Sequence, residues 1–191
     1  LPIPGAEAPN CVDGMSFLRA FNEDRLQHLD GRVLVIGAGD TAMDVAAVAR
    51  RIGHIQTAHE KDRPENVVLG HTAHDVAGTM KREGVDAVLT SLFPIQEMTA
   101  AEREREDAER EGVELVGGVM PLEVIQDADG RATALRLCKC TMDGMKPVPT
   151  EGTEFEIECD IVVSAIGQMG DLSGLEDLDN GKGFIATDGL F

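Results

Sequence analysis

Short apolar runs alternate along this chain with longer, glycine-bounded stretches of mixed polarity. Residues 33–36, VLVI, form a continuously apolar, largely β-branched run stopped by Gly37, which predicts a buried strand. In the following DTAMDVAAVARRI, Ala42, Val45, Ala46 and Ala49 lie on one side, the end is basic, and Gly53 closes the pattern. That combination predicts a helix. Ahead of this unit, residues 15–29 predict a helix with Phe17, Leu18, Phe21 and Leu29 on its apolar stripe and Ser16 near its cap. The residues before it, to about Gly14, are rich in Pro and Gly and read as an arm or linker.

Beyond Gly53 the alternation continues. HIQTAH (54–59) predicts a weak strand, EKDRPEN a polar loop, and VVLG leads into the helical pattern HTAHDVAGTMKRE, closed by Gly84. VDAVLTSL predicts a strand. TAAEREREDAERE predicts a helix with Thr99 as a possible cap, Gly112 at its end and a solvated charged face, and VELV predicts another strand. After about Gly117 the texture changes: LEVIQDADGRATALRLCKC reads as two strands joined by an Asp-Gly turn. MDGMKPVPTEG reads as a loop, and residues 161–166 as an apolar return strand. Helix–strand alternation, a small antiparallel piece and a return strand imply an α/β three-layer domain with a central parallel sheet and a small antiparallel β insertion.

Composition supports that class. Of 191 residues 42% are hydrophobic and only 3% aromatic, with no Trp or Tyr, so the core is built from Val, Ile, Leu, Ala and Met. That palette suits strands buried on both faces by packed layers. A formal net charge of −18 argues against binding nucleic acid or an anionic membrane surface. No apolar run approaches the roughly 20 residues of a membrane span, and no signal-peptide pattern opens the chain. The expectation is a cytoplasmic protein or a piece of one. Cys138 and Cys140 lie two apart on one strand face and, with Cys11 and Cys159, read as ordinary thiols rather than a redox or metal set.

The chemistry-bearing stretch is GAGDTAMD. Gly37, Gly39, Ala42 and Asp44 make the pattern Gly-x-Gly-x-x-Ala-x-Asp between a strand and a helix. Gly37 suits a tight turn, Gly39 lets a pyrophosphate approach the backbone, and Ala42 lets helix and strand pack closely. The helix start offers free N–H groups and a partial positive charge to phosphate. Gly37, Ala38, Gly39, Asp40, Thr41 and Ala42 are therefore candidate cofactor-binding residues. The stretch GDTAMDVA recurs as GHTAHDVA from Gly70, but Val68 replaces the turn glycine. A Val is disfavoured if the turn requires positive φ, so the second copy is expected to pack without holding a phosphate. His71, His74 and Asp75, with His54 or His59, could make a metal set, but a polar helix face accounts for them more simply, and no metal site is assigned.

An acidic residue about 20 positions past the glycines can hold an adenine ribose. Glu60 stands there and favours NAD, while Lys61 and Arg63 beside it favour a 2′-phosphate, so NAD and NADP both stay open. Two other classes stay open as well: an S-adenosylmethionine-dependent methyltransferase with Glu60 on the ribose, and a non-catalytic nucleotide-sensing domain.

VLVIGAGDTAMDVA, EREDAEREGVEL, PLEVIQDADGRATALRL and DIVVSAIGQ together resemble the NAD(P)-binding domain of the glutamate synthase small-subunit family, within the FAD-dependent pyridine-nucleotide-disulfide oxidoreductase superfamily. The resemblance implies a Rossmann-like domain over 31–168, an arm and linker helix from an FAD domain over 1–30, and a return arm over 169–191, with 54–84 a possible inserted α/β unit. It implies that residues 37–42 bind the pyrophosphate and that Ala165, Ile166 and Gly167 lie beside the nucleotide. It further implies NAD or NADP as cofactor, FAD in the full-length protein but not in this piece, and an iron–sulfur or larger oxidoreductase subunit as electron acceptor. No side chain is assigned as catalytic. The family's Tyr-Arg-Arg after its second strand is reproduced neither by Glu60-Lys61 nor by Leu92-Phe93. If 54–84 is inserted, VDAVLTSL is the second strand and Glu60 loses its role.

Overall fold

The computed structural model describes residues 1–55, 85–144, 146–167, 173–174 and 177. In chain order the elements are β1 (Cys11–Asp13), α1 (Gly14–Asn22), β2 (Arg32–Ile36), α2 (Asp40–Ile55), β3 (Asp86–Thr90) and α3 (Glu102–Arg110). They continue with β4 (Glu114–Val116), β5 (Val119–Gln126), β6 (Ala132–Asp143), β7 (Lys146–Pro149), β8 (Phe155–Glu158) and β9 (Ile161–Ser164). A short 3₁₀ turn, Ile95–Glu97, lies between β3 and α3.

Five strands form a parallel sheet in the order β1-β9-β2-β3-β4. β2 lies at its centre, and Val33, Leu34 and Val35 have no exposed surface. The two faces divide by the period-2 rule of a strand. Val33 and Val35 join Ala42, Val45, Ala46 and Ala49 of α2 in one core cluster, while Leu34 and Ile36 join Leu135, Leu137 and Val119 of the antiparallel strands in the other. The layers are thus helices, parallel sheet and antiparallel sheet. The alanine face of α2 allows close helix–sheet contact because no long side chain holds the two apart.

The antiparallel layer is built on β6, which pairs with β5, β7 and β8. Asn10 ties this layer to the parallel sheet. Its Nδ2 donates to the carbonyls of Ala132 (2.9 Å) and Asp160 (2.7 Å), and its Oδ1 accepts from the Ala132 N–H at 2.8 Å. A buried amide so paired avoids the cost of an unsatisfied polar group. A second polar tie joins the ends of α2 and α3. Arg51 bonds both carboxylate oxygens of buried Glu111 at 3.2 and 2.8 Å, and Arg50 donates to the Glu111 and Val85 carbonyls.

The structure differs from the sequence expectations at several ends. The segment read as an arm contributes β1, paired with β9, and buries Ala8. α1 stops at Asn22, followed by a left-handed Asp24, although Leu29 is still buried. Its cap is Asp13, whose carboxylate accepts the Ser16 N–H at 2.9 Å. α2 runs through Gly53 to Ile55, so His54 is helical and does not open a strand. Lys146–Pro149 forms a strand where a loop was expected; its two prolines are tolerated because β7 is an edge strand. α3 begins after Ala101 with no side-chain cap. The readings of residues 56–84, including Glu60, Lys61, His71, His74 and the second copy GHTAHDVA, lie outside the described residues, as does most of the return arm.

Candidate functional site

A cleft of about 830 Å³ opens at the carboxyl ends of β2, β3 and β9. The sheet order explains its location. β2 is flanked by β3 on one side and β9 on the other, so the chain departs from the centre in opposite directions. Such a switch point leaves a crevice outside the strand ends, where ligands bind in open α/β sheets. The cleft brings together residues 37–41 from the glycine loop and 165–167 from the end of β9.

Each glycine of the loop answers to a different constraint. A Cβ on Gly37 would lie 2.5 Å from the Ala165 carbonyl oxygen and 2.8 Å from the Ala42 Cβ. Neither Gly37 nor Gly39 has a positive φ, so close packing, not a left-handed turn, makes position 37 glycine. Val68, the equivalent place in the second copy, lies outside the described residues. A Cβ on Gly39 would meet only Thr99 Oγ1, at 3.4 Å. The protein leaves space there, and a backbone bare of side chain faces the cleft.

The loop is held from three sides. Gly37 N–H donates to the Thr90 carbonyl at 3.0 Å, and Ala165 N–H donates to Ile36 at 2.8 Å. The Ala38 carbonyl accepts from both Ala100 N–H (2.9 Å) and Thr99 Oγ1 (3.0 Å). The first intrahelical bond of α2 runs from Ala42 N–H to the Gly39 carbonyl at 2.9 Å. The N–H groups ahead of it stand at the positive end of a 16-residue helix, an arrangement suited to phosphate. Ala42 itself is fully buried beneath the loop. Its role is the close helix–strand contact, so it supports the cleft without lining it.

The electrostatics are acidic. Asp13 lines the cleft, and its hydrogen bonds from the Ser16 side chain and N–H hold its carboxyl below the usual range. Asp40 is exposed at the start of α2 and also lines the cleft. Burial, and then the charge of Asp40, push the Asp44 carboxyl up. Glu104 on α3 is raised by desolvation first and then by its contact with Asp40 and the charges of Asp44 and Asp107. Among the described residues, no group of three His, Cys, Asp or Glu is placed to hold a metal ion, and no helix is long and apolar enough to cross a membrane.

Sequence reasoning did not single out Thr90 and Thr99 as cleft residues, and it named Leu92 and Phe93 only as one possible end of the second strand. Thr99 carried only a local signal, as a helix cap, whereas its hydroxyl reaches Ala38 across 61 positions. No local pattern encodes that contact. Ile166 is 56% exposed and Gly167 takes a φ of 113°, so the chain leaves β9 with an apolar side chain at the cleft mouth.

The sequence profile of the pyridine nucleotide-disulphide oxidoreductase family matches residues 1–189. The NADP(+)-dependent formate dehydrogenase subunit beta of Moorella thermoacetica is 34% identical over 185 residues, covering 93% of this chain and 22% of that protein. The glutamate synthase [NADPH] small chain of Mycobacterium tuberculosis is 30% identical over 186 residues, covering 89% of this chain and 33% of that protein. The chain therefore spans a minor part of the curated relatives it matches. Among solved structures, Mycobacterium tuberculosis FprA in complex with NADPH aligns with a TM-score of 0.63 at 15% identity, over 99% of this chain and 51% of that one. Lactococcus lactis thioredoxin reductase aligns with a TM-score of 0.60 at 16% identity, over 99% and 48%. These likenesses show a Rossmann-like fold.

Proposed function

Because the chain belongs to the pyridine nucleotide-disulphide oxidoreductase family, we propose that it is the NAD(P)H-binding domain of an FAD-dependent oxidoreductase resembling the glutamate synthase small subunit. The observation that carries the reading is the cradle at Gly39, where an added Cβ would meet no backbone and the start of α2 faces the same cleft. A pyrophosphate is the ligand chemistry that such a cradle suits. Gly37 and Ala42 keep the loop against the strand end; Ala38 to Thr41 offer backbone N–H groups; Ala165 to Gly167 form the opposite wall.

When bound, the nicotinamide supplies a hydride for a flavin, and the cofactors carry that chemistry. The chain's own residues orient and shield. Thr99 and Ala100 anchor the Ala38 carbonyl, which fixes the direction of the neighbouring N–H groups. Met15 and Ile166 give the cleft mouth an apolar rim. The flavin belongs to flanking sequence of the same protein, and an iron–sulfur or larger oxidoreductase subunit takes the electrons onward.

The test is calorimetric titration of the intact protein and its Gly39→Val variant with NADH and NADPH. The unvaried protein is expected to bind a dinucleotide, and the variant to lose about tenfold or more in affinity by obstructing the backbone approach. Equal affinity in protein and variant rejects this site.

A further inference from the structure

We infer that the cleft selects the dinucleotide without a 2′-phosphate, and that Leu92 and Phe93 are the residues that make it do so; the inference rests on the nucleotide-binding reading above. In a dinucleotide fold the ribose 2′ position meets the carboxyl end of the strand beside the glycine-bearing one, and a nearby arginine accommodates a 2′-phosphate. Here the strand beside β2 is β3, and its end runs through Thr90 and Ser91 directly into Leu92 and Phe93. Thr90, Leu92 and Phe93 all line the cleft.

The loop after β3 is pinned, so this apolar surface is a fixed part of the site. Phe93 N–H donates to Ser91 Oγ at 3.0 Å, and the Phe93 carbonyl accepts from Gly118 N–H at 3.0 Å. Ser91 also donates its N–H to the Val116 carbonyl at the end of β4, and its own carbonyl accepts from the Val119 N–H at the start of β5. Gly117 packs so close that a Cβ there would lie 2.6 Å from Ile95 N and 2.9 Å from the Phe93 carbonyl.

The charges around this loop oppose a second phosphate. Among the described residues, the ionisable side chains lining the cleft are Asp13 and Asp40, with no Lys or Arg. The first turn of α3, the nearest helix start after the loop, carries Glu102 and Glu104, which offset its positive end. The arginines that follow are engaged elsewhere. Arg105 Nη1 donates to the carbonyls of Met98 and Ala100, and Arg103 pairs with Asp107 at 3.8 Å. A 2′-phosphate adds nearly two negative charges near neutral pH. Set against Leu92, Phe93 and carboxylates, it loses hydration without gaining a partner. A ribose hydroxyl loses far less.

The experiment compares NADH with NADPH by equilibrium titration of the intact protein, then repeats it on Leu92→Arg and, separately, Phe93→Arg. The unvaried protein is expected to bind NADH about tenfold or more tightly than NADPH, and at least one variant to shift that ratio about tenfold toward NADPH. Equal affinities, or tighter NADPH binding, in the unvaried protein overturn the inference while leaving the nucleotide site intact. Binding of neither dinucleotide rejects the underlying functional reading instead. A preference for NADH that neither folded variant alters, with NADH affinity retained as proof of folding, overturns the assignment to Leu92 and Phe93.

Discussion

The Thr99 hydroxyl donates to the Ala38 carbonyl at 3.0 Å, joining the loop after β3 to the glycine loop after β2. Two strand ends that diverge in sequence are thereby fixed in one geometry. Thr99→Val keeps the side-chain shape and removes the bond, while the Ala100 N–H still serves the same carbonyl. The expected cost is about 1 kcal/mol in stability, with dinucleotide affinity falling by roughly threefold to tenfold as the loop loosens. Thermal melts and titration calorimetry on the same variant measure both. Unchanged affinity would show that the loop is rigid without Thr99.

The two loop glycines should respond in opposite ways. Gly37→Ala drives a methyl into the Ala165 carbonyl and the Ala42 side chain and is expected to destabilise by about 1–3 kcal/mol. Gly39→Ala meets only Thr99 Oγ1 at 3.4 Å and should leave stability within about 0.5 kcal/mol of the parent. Its expected effect is on dinucleotide binding. Denaturant titration separates the pair, and equal destabilisation by both substitutions would mean that Gly39 serves packing.

Only part of this division was legible in the sequence. GAGDTAMD identified the loop because glycine and alanine at fixed offsets between a strand and a helix are a local signal. VLVI identified β2 as a continuous apolar run, and VDAVLTSL and VELV identified β3 and β4 as short, mainly apolar, Val-rich segments. Residues 11–13 gave no such signal. They make a strand only because β9 offers an edge beside them. Ala165, Ile166 and Gly167 were named through the resemblance, as was the pair Leu92-Phe93 at one possible strand end, but Thr90 and Thr99 reach the cleft through tertiary structure that no local pattern encodes. The charged run of α3 read as a uniform solvated face, and the same reasoning gave no hint that Glu111 is buried against Arg51.

That buried pair is itself a target. Glu111 is 7% exposed and accepts two bonds from Arg51, so truncating Glu111 takes both bonds from the Arg51 guanidinium. Glu111→Ala is expected to cost about 2–4 kcal/mol, read as a lower denaturation midpoint with unchanged slope. A shift smaller than about 0.5 kcal/mol would place the pair with ordinary surface ion pairs.

Cys159 gives a pH-dependent prediction. Burial pushes its thiol up to about 12 from an ordinary value of 9.0. Between those values the unfolded chain has released the proton and the folded one retains it. Stability is therefore fully present below about pH 9 and falls as pH rises toward 12. Cys159→Ser, titrated in parallel, is expected to show a flatter alkaline limb. Under native conditions near pH 8, alkylation followed by mass spectrometry should label half-buried Cys11 well before Cys159. Equal labelling would contradict the burial.

The position of β9 bears on how the chain acquires its shape. This last strand of the parallel sheet is hydrogen-bonded between β1 and β2, the first two in sequence. Cys11 faces Val162, so that pairing closes across nearly the whole described chain. Until residues 161–164 have left the ribosome, β2 has one unpaired edge of Val, Leu and Ile, and residues 11–13 have nothing to align on. Such an edge is a template for wrong partners. A nascent chain cut before Ile161 would hold the whole glycine loop while β1 and β2 still lacked the strand that joins them, so the cleft wall at 165–167 and the central pairing of the sheet form in a single late step.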